Sequence, residues 1–243
     1  MNKLFFGIGN AKLSAAVATF SLPAGFTCPF AKECLSQSDR ITGKITDGPD
    51  CRFRCSAATG EARCPNVRTS RWGNFEFLKS VKTVDNMSDL IYRSIPWGIP
   101  YVRIGVSGDF FSENYFKAWI NVANAIPTTI FYGYTKSLPY LVKHRKDMPS
   151  NFRLVASKGG THDHLIKKHN LPYAEVVFSD EEAASKGLEI DHDDSHAIKA
   201  DKTFALRLHG GQPKGTPAAI AWSKIMRTVG GYSRKRKKML VTS

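Results

Sequence analysis

From residue 98 onward the sequence repeats one kind of unit: a β-rich apolar stretch, polar or glycine residues at its end, then a stretch with helical spacing. "IPYVRIGVSGDFF" carries an apolar run, Tyr101 to Val106, that ends in Ser107, Gly108 and Asp109. "SENYFKAWINVANA" follows, with Ser112 as N-cap and Tyr115, Phe116, Trp119, Ile120 and Ala123 along one helical face. The alternation returns in "TTIFYGYTKS" and "LPYLVKHRKD", in "NFRLVASKGG" and "HDHLIKKHN", in "YAEVVFSDEEAA", and in "TFALRLHGGQ" and "TPAAIAWSKIMRTV". Such units, at roughly 20–35-residue spacing, specify a parallel sheet, because parallel neighbours need a crossover. The fold class predicted is α/β: a complete or partial parallel (β/α) barrel, preferred over an open doubly wound sheet. The βα repeats occupy residues 98–230 of one domain, residues 1–232. In either architecture chemistry sits at the carboxyl ends of the strands, so the tails SGDF, YTKS, SKGG and SD are expected on one rim.

All five cysteines lie in "TCPFAKECLSQSDRITGKITDGPDCRFRCSAATGEARCP", spaced Cys28-x5-Cys34-x16-Cys51-x3-Cys55-x8-Cys64. Residues 21–66 are rich in Gly, Ser, Thr, Asp and Pro, and "TDGPD" signals a turn, so an irregular segment with short helical pieces is expected. A long loop inside a compact domain needs a purpose or a staple. With 42% hydrophobic residues the chain can build a core without disulfides, and five is an odd number for a disulfide framework. No CxxC pair occurs, so zinc is the alternative reading and not the first. Soft thiolates gathered on a loop suit an iron–sulfur cluster, and Arg52, Arg54 and Arg63 beside them favour the thiolate form. The plainer reading is a set of buried thiols acting as small hydrophobes. Pro29, Lys32, Glu33 and the arginines make the setting polar instead. Four thiolates would close a cubane, whereas three would leave one iron open to a small molecule. Five candidates do not choose between these by number.

Thirty-five basic and 21 acidic residues leave a net charge of +14. Arg234, Lys235, Arg236, Lys237 and Lys238 form a run that buries nothing. Residues 233–243 are therefore expected to be a basic tail, either solubilising or an arm that binds the phosphates of DNA or RNA. No helix-turn-helix, zinc-finger or RNA-recognition signature is present, so sequence-specific readout is not expected. No run of about 18 apolar residues occurs, which leaves no candidate membrane span. "MNKLFFGIGNAKLSAAVATFSLPAG" begins with the basic and apolar character of a leader, but Asn10, Lys12 and Ser14 interrupt the run. The expected location is the cytoplasm, where thiols stay reduced.

Several blocks together carry a resemblance: "GNAKLSAAVATFSLPAGFTCPFAKECLS", "DGPDCRFRCSAATGEA", "NVRTSRWGNFEFL", "VRIGVSGDFFSENYFKAW", "FYGYTKS" and "LHGGQPKGTPAAIAW". The chain is similar through them to the bacteriophage gene-88 product family, over most of residues 7–225. The family pattern has cysteines at the positions of Cys28, Cys34 and Cys55, while Cys51 and Cys64 fall where it requires none. The resemblance thus implies a three-cysteine [4Fe–4S] cluster and residence in the host cytoplasm, and it implies no activity. At the level of fold alone, such proteins resemble radical S-adenosylmethionine enzymes, which use a partial (β/α) barrel and a three-cysteine cluster. This chain departs from their CxxxCxxC loop and lacks a clear glycine-rich methionine-binding strand.

On the rim, Ser107, Gly108 and Asp109 are the preferred cofactor-binding residues. Gly108 would admit close approach, and Asp109 would accept hydrogen bonds from S-adenosylmethionine. Lys136 and Lys158 end the next two strands and, if convergent, would hold a carboxylate or phosphate. Asp109, Lys136 and Lys158 are accordingly the candidate catalytic residues, and His209, before Gly210 and Gly211, is a further rim residue. "EIDHDDSHAIKAD" places Asp191, His192, Asp193, Asp194 and His196 together, as a metal or acid–base cluster or, more plainly, a solvated loop. His162, His164 and His169 lie beside Lys167 and Lys168 and read as a solvated face.

These readings lead to an iron–sulfur protein, as a radical S-adenosylmethionine-like enzyme acting on nucleic acid or a metabolite. The rivals are a non-enzymatic nucleic-acid-binding protein with a structural metal, and a zinc-stapled protein that binds a host factor. No membrane partner is expected.

Overall fold

The computed structural model describes residues 3–10 and 12–230, so the basic run Arg234–Lys238 lies outside the described residues. A short strand β1 (Gly7–Ile8) turns back antiparallel onto β2 (Val17–Ser21). The cysteine-rich segment follows and holds a small antiparallel hairpin, β3 (Ser36–Ser38) with β4 (Ile45–Asp47). Three helices come next: α1 (Ser56–Arg63), α2 (Pro65–Ser80) and α3 (Val84–Ser94). The expected alternation then runs through β5 (Tyr101–Ser107), α4 (Glu113–Ala125), β6 (Ile130–Thr135), α5 (Leu138–His144), β7 (Phe152–Ser157), α6 (His164–Lys168), β8 (Tyr173–Val177) and α7 (Asp180–Ser185). It ends with α8 (Ser195–Lys199), β9 (Phe204–Arg207) and α9 (Pro217–Thr228).

The local signals act as their chemistry requires. Ser112 accepts a hydrogen bond from the Tyr115 N–H and caps α4, and Thr216 does the same for α9 through Ala219. Pro217 follows Thr216 at a first-turn position where its missing N–H costs nothing. Cysteines mark both ends of α1, Cys55 before its first residue and Cys64 after its last.

The strands form one seven-stranded sheet in the order β1-β2-β5-β6-β7-β8-β9. Every pairing from β2 to β9 is parallel, and β1 alone is antiparallel. This order departs from the complete barrel and from the less favoured doubly wound sheet alike. A complete barrel would pair its first and last strands, and here β1 and β9 are separate edges. A doubly wound sheet would reverse its strand order midway, and this order follows the chain without reversal.

One face of the sheet packs Phe20, Val102, Phe131 and Phe152 against Leu78 of α2, Leu90 and Ile91 of α3, Phe116 and Trp119 of α4, and Leu141 of α5. Trp119 is wholly buried and meets Phe20 and Phe131 at ring distances of 5.6 and 6.0 Å. The other face carries Val17, Tyr132, Val155, Ala174 and Phe204, which pack against Ala197 of α8 and Leu13. The turn before α8 thereby buries Asp191 and Asp194 under the sheet, whereas His192 stays exposed, so the solvated-loop reading fails for those two carboxylates only. Asp191 and Asp194 are 1% and 3% exposed.

Candidate functional site

The carboxyl ends of the parallel strands meet one continuous partner, the cysteine-bearing segment after β2. Leu22 N–H donates to Ser107 O at 2.9 Å at the end of β5, and Asp109 N–H donates back to Thr27 O at 3.2 Å. Beyond β7, Gly159 O accepts from the N–H groups of Lys32 and Glu33, and Thr161 N–H donates to Phe30 O. Arg52 donates from Nη2 to Val176 O at 3.2 Å on β8. Past β9, Ser56 Oγ and His209 Nε2 stand 3.0 Å apart, while Gln212 bonds both Arg54 N–H and Arg54 O. Backbone groups that strand ends leave unpaired are thus used to hold the loop in place.

That lattice sets the thiols. Cys28 lies in a turn closed by its own N–H to Gly25 O, and Cys55 is the residue before α1. Cys34 and Cys55 lie close enough to Cys28 to influence its ionisation. Burial pushes the Cys28 thiol well up, and the charges of Asp109, Cys55 and Cys34 push it further. Burial also raises Cys55, with Cys34 adding to it, while the N–H groups of Ala58 and Ala57 at the start of α1 and the Arg71 guanidinium favour its thiolate. Cys51 is engaged otherwise, since its Sγ donates to Phe53 O at 3.2 Å and lies 3.7 Å from Ser36 Oγ. Cys64 is exposed at the far end of α1. At the helical rise of 1.5 Å per residue it stands about 13 Å along the chain from Cys55. All five cysteines are free thiols. Among the described residues no three His, Cys, Asp or Glu side chains are gathered as the ligands of one metal ion.

The rim residues have other employment than the sequence reading assigned. Asp109 accepts from Thr135 Oγ1 at 2.6 Å, Lys136 N–H at 2.7 Å and its own neighbour Phe110 N–H at 2.7 Å, and it ties the ends of β5 and β6 together. Burial still raises its carboxyl above the ordinary range. Gly108 has φ +78°, and a Cβ there would stand 2.3 Å from Thr27 Oγ1 and 2.8 Å from Leu22 Cβ. The close approach it permits is that of the cysteine segment itself. Ser107 Oγ donates to Glu61 at 3.1 Å. Lys136 Nζ donates to Ser157 Oγ at 2.6 Å and to Lys158 O at 2.9 Å, whereas Lys158 Nζ pairs with Glu175 at 2.9 Å. The two lysines therefore do not converge as an anion clamp. One is spent on backbone and hydroxyl oxygens, the other on a carboxylate.

Beside Cys55 lies a cavity of about 600 Å³ that the rim residues only partly describe. Ser56, Ala57 and Gly60 of α1 and Arg71 of α2 form one wall. Arg103 of β5, Tyr134 of β6, Ser157 of β7 and Leu206 of β9 form another, with His209 at its edge. Trp222 and Met226 of α9 supply an apolar side, and Lys12 and Asp194 complete the lining. Two carboxylates hold its cations. Asp194 accepts from Lys12 Nζ at 2.5 Å and from Arg103 Nε at 3.0 Å. Glu61, fully buried, accepts from Arg71 Nη1 at 2.8 Å, Ala24 N–H at 2.9 Å and Ser107 Oγ. Arg103 also lies 4.3 Å over the Tyr134 ring.

Sequence reasoning found the thiols and His209 and missed Arg71, Arg103, Lys12 and Trp222. One signal was present: Arg103 interrupts the otherwise apolar "YVRIGV", and a charge inside a buried strand needs a partner or a task. Glu61 and Arg71 carried no such mark, because both lie on ordinary amphipathic helices.

Fold and site together define an α/β protein with a mostly parallel sheet, whose strand ends anchor a cysteine-bearing segment beside a cavity of mixed charged and apolar lining. The chain belongs to the Gene product 88 family, whose model matches residues 3–228. No curated protein and no solved structure matches it. Among the described residues no helix is long and apolar enough to cross a membrane.

Proposed function

We propose that this phage protein holds a [4Fe–4S] cluster on Cys28, Cys34 and Cys55, at the carboxyl rim of a sheet that is the sector of a (β/α) barrel. The barrel reading is supported by the strand order and by side chains from β5, β6, β7 and β9 that line one cavity. The observation that supports the cluster is that Cys34 and Cys55 lie near enough to Cys28 to act on its thiol, on one segment bonded to the strand ends. The donor set fits the group. In a cubane each cysteine binds its own iron, so its thiolates stand farther apart than ligands that share one ion. The N–H groups at the start of α1 aim at Cys55, and N–H bonds to cluster sulfurs are one of the means by which a protein tunes such a centre.

When bound, the cluster supplies an electron and, at the iron without a protein ligand, a coordination place for a small molecule. The chain's own part is to hold three thiolates on a loop bonded to the strand ends and to keep a lined cavity beside Cys55. The reading extends to S-adenosylmethionine as that small molecule, with nucleic acid or a metabolite as what is modified, in the host cytoplasm where thiols stay reduced. The test is the iron and acid-labile sulfide content of protein purified without oxygen. Equal amounts of the two, with a broad visible absorbance, support the cluster, and release of 5′-deoxyadenosine from S-adenosylmethionine under reduction supports the enzyme. Colourless protein free of iron rejects both.

A second reading is favoured by the net charge of +14. It has the protein binding DNA or RNA without catalysis through its basic surface and the run Arg234–Lys238, with the metal only stapling the loop.

A further inference from the structure

The cavity beside Cys55 gathers cations whose guanidinium groups the fold uses only in part. Lys12, Arg71 and Arg103 line it against one lining carboxylate, Asp194. Each arginine is fixed through part of its guanidinium only. Arg71 uses Nη1 for Ala57 O and Glu61, and Arg103 uses Nε for Asp194 and Nη1 for Ile104 O. A guanidinium has five N–H donors, and Arg71 Nη2 and Arg103 Nη2 bond no protein acceptor among the described residues. Both side chains are about nine-tenths buried, at 12% and 11% exposed. Neutralising Glu61 and Asp194 would require only the N–H groups already used. Pre-oriented guanidinium N–H groups on the wall of a largely apolar cavity are what binding of an oxyanion needs. Trp222 and Met226 line the same cavity and offer it apolar surface. About 600 Å³ suits a small molecule and falls within the roughly 300–1,000 Å³ of such sites.

We propose that the cavity binds a small organic oxyanion, a carboxylate or phosphate ester with an apolar or aromatic body. The charged end lies on Arg71 and Arg103 and the body against Trp222 and Met226. This deepens the reading of the same site by naming the class of second ligand, and it rests on that reading only for the ligand's role. Binding itself needs no iron.

The experiment is calorimetric titration of the full chain, purified without oxygen, with two matched pairs: adenosine 5′-monophosphate against adenosine, and indole-3-propionate against its amide. The expected result is that at least one anion binds about tenfold or more tightly than its neutral partner, and which pair discriminates separates phosphate from carboxylate. Arg71→Gln and Arg103→Gln are each expected to reduce that preference to within about threefold. Because Arg103→Gln removes a partner of buried Asp194 and is open to misfolding, Gly60→Phe is the second variant. Nothing lies within 4 Å of a Cβ at Gly60, which lines the cavity from inside α1. Filling the cavity there is expected to abolish binding while unfolding remains cooperative at an unchanged or higher temperature. The proposal is overturned if neither anion is preferred, if the preference survives both arginine variants, or if folded Gly60→Phe binds as the wild type does. A preference found in protein that carries no iron would uphold the oxyanion site and reject the cluster.

Discussion

Asp194 Oδ2 accepts from Arg103 Nε at 3.0 Å, across 91 residues of chain, while its Oδ1 accepts from Lys12 Nζ at 2.5 Å. One buried carboxylate thus joins the N-terminal segment, a central strand and the turn before α8. Burial pushes this carboxyl up, but Lys12 and Arg103 more than offset it and hold it below the usual range. A depressed folded value stabilises the protein above the unfolded value of about 3.9, and that contribution is lost as pH falls through the folded value. Asp194 has φ +66°, a conformation that asparagine tolerates, so Asp194→Asn removes charge and leaves the backbone alone. We expect it to cost about 3 kcal/mol at neutral pH. In urea titrations the gap from wild type should shrink as the pH is taken below about 4. Neighbouring Asp191 is raised by burial and further by the charge of Asp194, so Asp194→Asn also eases Asp191 and offsets part of the cost at neutral pH.

The cysteines divide into two groups with different expected phenotypes. Cys28→Ala, Cys34→Ala and Cys55→Ala should each lose iron and visible absorbance. Cys51→Ala and Cys64→Ala should keep both, because Cys51 is bonded to Phe53 O and Cys64 is exposed beyond the far end of α1. Metal analysis of the five single variants decides the matter, and retention of iron by all of them would remove the cluster.

Gly108→Ala tests whether the rim packs the cysteine segment or awaits a ligand. The new methyl would meet Thr27 Oγ1 and Leu22 in a left-handed backbone. Strain and crowding together are expected to cost about 3 kcal/mol. Iron content should fall with stability, since Thr27 adjoins Cys28. Thermal unfolding together with metal analysis reads both.

Deletion of Arg234–Lys238 separates the two functional readings. If this run is an arm for nucleic acid, affinity for a random duplex should fall. The slope of log affinity on log salt should also become shallower by roughly 0.9 for each phosphate that the shortened chain no longer neutralises. An unchanged slope in fluorescence anisotropy titrations rejects the arm.

The strand–helix alternation of β5 through α6 was legible because strands buried on both faces read as short continuous apolar runs, while one-sided burial imposes a 3.6-residue period on the helices. The Ser112 cap, and the glycine and polar residues that end the strands, were legible for the same local reason. Strand β2 was not. "VATFS" sits in a stretch that reads as a leader, and only its pairing with β5 distinguishes a central strand from an apolar tether. Chain closure is equally invisible, because no local pattern says whether the last strand finds the first.

By itself the sequence determined the α/β class, the parallel sense of the repeats and the gathering of all thiols into one loop. These are matters of composition and short-range period. Tertiary structure alone decided that the sheet stays open, that the loop is bonded across the strand ends, and that Asp109, Lys136 and Lys158 are spent on the frame. It also decided that Arg71 and Arg103 face one cavity. Hydrogen bonds and ion pairs between residues far apart in the chain fix these arrangements, and their energies depend on distance in space, which the order of residues along a chain does not encode.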